Sequence, residues 1–126
     1  MKKEEFRELA NGSFLYLDGA TGSNLQKRGM PIGVCPEKWV MENKEVLIDL
    51  QREYVEAGSQ ILYAPTFTCN RIKLKEYGLE KEVKEINKGL VAISKEAAGK
   101  KAYVAGNLTM TGEQLKPIGS MDFETL

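Results

Sequence analysis

The sequence predicts an α/β fold with a parallel sheet: the N-terminal portion, about three βα units, of a (β/α)8 TIM barrel that these residues leave incomplete. Three observations predict it. Short apolar runs at 14–17, 60–64 and 102–105 are separated by stretches with helical periodicity, and strands alternating with helices imply parallel pairing through right-handed crossovers. The segment after each run is polar and rich in Gly or Thr, as at the carboxyl mouth of a barrel. The 126 residues also fall short of the roughly 250 of a whole barrel. Residues 1–126 are read as the N-terminal part of a single domain, with no second domain, repeat or low-complexity linker.

The elements follow in order. Residues 3–10 form a short helix with Phe6 and Leu9 on one side, stopped by Asn11-Gly12. Phe14-Leu15-Tyr16-Leu17 is too short for a buried helix and reads as a buried strand. The stretch 24–43, with Gly29, Pro31, Gly33 and Pro36, reads mostly as loop. Residues 44–57 make a helix capped by Asn43, with Leu47, Leu50 and Tyr54 on one face and Gly58 at its end. Gln60-Ile61-Leu62-Tyr63-Ala64 is the second strand, stopped by Pro65, and 72–77 a short helix closed by Gly78. Leu79, Val83, Ile86, Leu90, Ile93 and Ala97 recur at three and four residues, predicting a long amphipathic helix ending at Gly99. Residues 102–105 form the third strand, 106–120 a loop, and 122–126 the first turn of another helix.

Composition narrows the chemistry. Eighteen basic and eighteen acidic residues cancel, whereas nucleic-acid-binding domains carry a basic excess, so no nucleic-acid partner is expected. Neither a membrane-spanning run nor a signal peptide is expected, and the two cysteines make no disulfide framework, which points to the cytoplasm. Histidine is absent, which removes the commonest general base and every His-based triad, dyad or metal site.

Function in parallel α/β folds sits at the carboxyl ends of the strands. Here these ends are Asp18-Gly19-Ala20-Thr21-Gly22, then Pro65-Thr66-Phe67-Thr68-Cys69-Asn70-Arg71, then Gly106-Asn107-Leu108-Thr109-Met110-Thr111-Gly112. Asp18 is the sharpest candidate: either a carboxylate that receives a substrate ammonium beside a close-approach glycine, Gly19, or an Asp that caps its loop by binding backbone N–H groups. Arg71 can grip a carboxylate or phosphate, or pair with a neighbouring residue of the fold. Phe67 is pocket wall or core. Cys69 reads as an inert, half-buried thiol, and Trp39 as an anchor of its loop. Ala20, Thr66, Asn70 and Asn107 complete the strand-end candidates.

Four motifs in register carry a resemblance. Leu17-Asp18-Gly19-Ala20-Thr21-Gly22 resembles the opening L-D-G-A-x-G of the homocysteine S-methyltransferase family, and Glu53-Tyr54-Val55-Glu56-Ala57-Gly58-Ser59 its helix-to-strand segment. Pro65-Thr66-Phe67-Thr68-Cys69-Asn70-Arg71-Ile72-Lys73-Leu74 is similar to its T-N-T-F-x-x-N-R-x-K-L signature. Gly106-Asn107-Leu108-Thr109-Met110-Thr111-Gly112-Glu113 takes the place of its G-x-x-G-P-T-G-E loop. The resemblance is greatest to the N-terminal homocysteine-binding modules of corrinoid-linked methyltransferases, cobalamin-dependent methionine synthase among them.

The resemblance implies a zinc-dependent enzyme that moves a methyl group to the thiolate of homocysteine, giving methionine. The donor is a methylated corrinoid or methyltetrahydrofolate pathway, betaine, or a methylsulfonium. It implies that Asp18 and Gly19 hold the amino-acid end of homocysteine and that Phe67 lines the same pocket. Zinc is expected for the complete domain, held by cysteines on later strands and outside this chain. Neither Cys35 nor Cys69 matches a ligand position, so no metal ligand is expected here and these residues are expected to be inactive alone. Cobalamin on a partner domain or corrinoid protein is a further implied partner. Two other readings stand beside this one: a different barrel enzyme whose Asp18 and Arg71 grip a small anionic metabolite, and a non-catalytic α/β fragment that assembles with another chain. Self-association of the isolated chain is expected in either case of an unfinished barrel.

Overall fold

The computed structural model describes residues 2–12 and 14–125; Leu126, the end of the predicted final turn, lies outside them. Along the chain run α1 (Lys3–Gly12), α2 (Gly22–Lys27), α3 (Pro36–Glu42), α4 (Lys44–Glu56), β1 (Ile61–Tyr63), α5 (Arg71–Lys75), α6 (Val83–Ala98), β2 (Tyr103–Ala105) and a 3-10 turn at Phe123–Thr125. None of the described helices is long and apolar enough to cross a membrane.

β1 and β2 pair in parallel with Ile61 opposite Tyr103, Leu62 opposite Val104 and Tyr63 opposite Ala105. The connection runs through α5 and α6, the crossover that parallel pairing requires. Side chains alternate across a strand. Leu62 and Val104 accordingly join the core cluster under the helices, while Tyr103 stays 44% exposed. The core is built chiefly by α4 and α6: Leu47, Ile48 and Leu50 meet Ile86, Leu90, Ile93 and Ala97, with Leu25 and Val40 added from α2 and α3. The predicted 3.6-residue periodicities of α4 and α6 are the faces that are buried.

Four expectations are corrected. The predicted first strand, 14–17, is reduced to a single parallel bridge between Leu17 and Ile61. The Tyr16 carbonyl accepts from the N–H groups of Gln60 and Ile61, and the Asp18 N–H donates to the Ile61 carbonyl. Among the described residues the segment pairs on one side only, and Phe14, Tyr16 and Leu17 are exposed rather than buried. Second, 24–43 contains two short helices instead of loop. Pro36 starts α3 with its φ already helical, and Leu25 draws α2 onto the core; Gly29 and Gly33, both at positive φ, turn the chain between them. Third, Asn43 does not cap α4 with its side chain: its Nδ2 donates back to the Trp39 carbonyl at 2.9 Å. The long helix also starts at Val83, because 79–82 is taken up by a turn in which Glu82 N–H donates to the Leu79 carbonyl.

Candidate functional site

A cavity of about 380 Å³ opens at the carboxyl ends of the strands, between them and the short helices α2 and α3. Asp18, Gly19, Tyr63, Phe67 and Asn107 contribute from the strand ends; Leu25, Glu37 and Val40 form the opposite wall.

The turn that carries Asp18 is pinned from α2 and α4. The Ala20 carbonyl accepts from Asn24 Nδ2 at 2.7 Å and from the Tyr54 hydroxyl at 2.8 Å, and Asn24 Nδ2 also reaches Tyr54 Oη at 3.0 Å. This brings the Tyr54 ring against Gly19, where an added Cβ would stand 2.9 Å from Cε1. Gly19→Ala is therefore expected to cost about 1–2 kcal/mol, in the lower part of the range for overpacking, as read by urea denaturation. The cost should shrink when Tyr54 is first changed to Leu; additive effects of the two changes would show that the contact is not the cause.

Asp18 Oδ2 accepts from the Tyr63 N–H at 3.1 Å, a bond across to the neighbouring strand. Burial pushes the Asp18 pKa up, and the backbone N–H groups of Tyr63 and of Asp18 itself oppose that rise only in part. Asn107 is held on the cavity wall by Thr66, which is buried. Thr66 Oγ1 donates to the Asn107 carbonyl at 2.9 Å and accepts from the Asn107 N–H at 2.9 Å. Thus the loops after β1 and β2 are tied together at one point.

Of the predicted site residues, Asp18, Gly19, Phe67 and Asn107 share this cavity, and Thr66 braces it. Ala20 contributes its carbonyl to the turn and does not line the cavity. Asn70 caps α5, its Oδ1 accepting from the Lys73 N–H at 2.9 Å. Arg71 opens α5, is exposed, and borders a separate depression with Lys75, Glu76 and Asp122. The arrangement in which Asp18 and Arg71 grip one ligand does not occur.

Sequence reasoning passed over Glu37, which lines the cavity at 4% exposure. The Thr68 hydroxyl donates to its Oε1, and the Cys35 thiol donates to Oε2 at 3.3 Å. The available signal was Pro36, which marks a helix start and so places Glu37 in the first turn, where a carboxylate is favoured. Cys69 is also buried, deeper than the expected half-burial, and its thiol is pushed up to about 12 by burial first and by the charges at Glu37 and Cys35 next. Burial, with Glu37 beside it, likewise raises Cys35. Among the described residues no three His, Cys, Asp or Glu side chains come together as a metal-binding group, so these residues do not fit a zinc site.

Comparison with known proteins places the chain in a family. Residues 15–126 match the family described as Homocysteine S-methyltransferase. A betaine–homocysteine S-methyltransferase of Pongo abelii is 30% identical over 90% of this chain and 30% of its own length. A methionine synthase of Mycobacterium tuberculosis is 26% identical over 86% of this chain and 10% of its own. In structure, a homocysteine methyltransferase of Escherichia coli in its metallated form superposes with a TM-score of 0.68 at 23% identity, covering 80% of this chain and 40% of that one. The chain thus spans less than a third of the length of these sequence relatives. With the family match extending over nearly all of its residues, the chain belongs to the homocysteine S-methyltransferase family.

Proposed function

We propose that the cavity at Asp18 and Gly19 receives the amino-acid end of homocysteine, in a protein that transfers a methyl group to the homocysteine sulfur to give methionine. The observation that carries this reading is the lining. Among the described residues, Asp18 and Glu37 are its only charged side chains, and no basic residue lines it. Such a cavity attracts an ammonium group and repels phosphate or an isolated carboxylate. It therefore speaks against a small anionic metabolite, the other enzymatic reading.

The family match supports the reaction class, and the relatives' names supply methyl donors for those proteins: betaine, S-methylmethionine, or the donor of a methionine synthase. In this reading the chain supplies the opening βα units of a (β/α)8 barrel. Its Asp18 carboxylate accepts from the substrate ammonium, Gly19 admits the substrate against the backbone, and Phe67 covers the methylenes. Zinc, if it serves this protein as we expect for the complete domain, has its ligands outside these residues, and a corrinoid partner belongs to the same proposal.

Calorimetric titration of the protein carrying these residues tests it. Saturable binding of homocysteine with competition by methionine is expected, together with no binding of inorganic phosphate at the same cavity. No saturable homocysteine binding up to about 1 mM, a threshold of only some 4 kcal/mol, would overturn it. Phosphate binding that Asp18→Asn strengthens would favour the anionic-metabolite reading instead.

A further inference from the structure

We infer that Glu37 is a specificity-determining residue of this cavity: held on its wall by Thr68 and Cys35, its carboxylate acts with Asp18 to select ligands that carry an ammonium group. The inference rests on the homocysteine reading of the cavity and adds the residue that reads the substrate's amino end.

The argument starts from the charge. Glu37 is 96% removed from solvent, yet both of its hydrogen-bond partners, Thr68 and Cys35, are neutral groups. Among the described residues its carboxylate pairs with no Lys or Arg; the six ion pairs all lie elsewhere. A buried carboxylate is costly unless a cation accompanies it. Asp18 is the second carboxylate that lines the same cavity. Among the described residues nothing supplies the counter-charge, and the space both carboxylates line is where a cationic ligand would bring it.

The geometry suits an ammonium. Each Glu37 oxygen uses one acceptor site on its protein donor and keeps another free, while an ammonium brings three donors. Asp18 Oδ2 is likewise engaged by a single N–H. Leu25, Val40 and Phe67 line the rest of the cavity and match a short hydrocarbon chain. Thr68 fixes the direction of the Glu37 carboxylate from the loop after β1, so the two carboxylates are set by different parts of the fold and can be perturbed separately.

The test compares homocysteine with 4-mercaptobutyrate, which has the same chain, thiol and carboxylate and lacks only the ammonium. Wild-type protein is expected to prefer homocysteine by about tenfold or more, the worth of a charge-assisted contact. Glu37→Gln keeps an oxygen for Thr68 and loses the charge; its preference should fall by most of that factor, while Glu37→Asp retains it. Circular dichroism and melting report whether each variant is folded. Thr68→Val leaves the carboxylate but removes its anchor, and a severalfold loss of preference is expected there too. A folded Glu37→Gln protein with the wild-type preference overturns the inference and leaves the homocysteine reading standing. If Glu37→Gln does not fold, an unchanged preference in Thr68→Val overturns it. Wild-type protein that binds neither thiol overturns the homocysteine reading, and the inference falls with it.

Discussion

Asp18→Asn is expected to weaken homocysteine binding ten- to a hundredfold while leaving the fold as stable as before or slightly more so. The two effects have opposite signs because Asp18 does two jobs with different atoms and charges. Its bond to the Tyr63 N–H needs only an acceptor, and the Asn side-chain carbonyl provides one. Its proposed bond to the substrate ammonium needs the negative charge, and losing a charge-assisted contact costs about 1.5–3 kcal/mol. The pKa direction sharpens the contrast. Burial raises the Asp18 pKa in the folded chain, so the folded state holds the proton more tightly than the unfolded one. The stability from this group is then present below the unfolded pKa and is lost as pH rises through the folded pKa. At neutral pH the wild-type carboxylate is ionised at a cost that Asn does not bear. Melting at pH 7 and at pH 4, with homocysteine titration at pH 7, separates the two. A folded Asp18→Asn protein with unchanged homocysteine affinity would reduce Asp18 to a cross-strand tether.

The parts of this fold that were legible in the sequence are those with a strong local signal. α4 and α6 announce themselves through repeated apolar spacing, and β1 and β2 through apolar runs bounded by Gly and Pro. α2 and α3 have six and seven residues, under two turns each, too short for a period to emerge among Gly29, Pro31 and Gly33. The run 14–17 has the composition of a buried strand, but whether a strand is buried depends on what lies beside it, and composition does not report that. The same division runs through the site. Asp18, Gly19, Phe67 and Asn107 could be grouped in advance because parallel strands bring their carboxyl ends to one edge. Glu37 was harder: Pro36 places it in the first turn of α3, but nothing local marks that residue for burial, and its partner Thr68 enters from 31 positions away. Arg71 and Asn70 share the same strand-end segment as Phe67 and yet leave the cavity, because Asn70 turns the chain into α5 and carries Arg71 with it.

The isolated 126-residue chain is expected to associate at micromolar concentration. Its apolar surface is divided unequally. Helices α4 and α6 cover one side of the strands, and on the remaining surface Phe14 is 82% exposed, Leu108 95%, Met110 80% and Ile118 83%. Leaving a large apolar side chain in water forfeits about 1.5–3 kcal/mol, so several together rival the whole stability of a domain, roughly 5–15 kcal/mol. The backbone adds to the tendency. β1 is flanked by Leu17 on one side and β2 on the other, so the 14–17 segment and β2 each keep an outer edge that pairs with no described strand, and open edges template pairing with another chain. In a closed barrel those edges would meet strands of the same sheet and the apolar side chains would fill its interior. The Escherichia coli structure, of which this chain covers 40%, has the length to supply them. Sedimentation velocity across a concentration series should therefore show dimers or larger species, and an apolar dye should bind. Residues that complete the sheet, added covalently or as a second polypeptide, should abolish both. A monomer with a sharp cooperative melt and no dye binding would show that these side chains are covered without help, and the barrel reading would lose its physical basis.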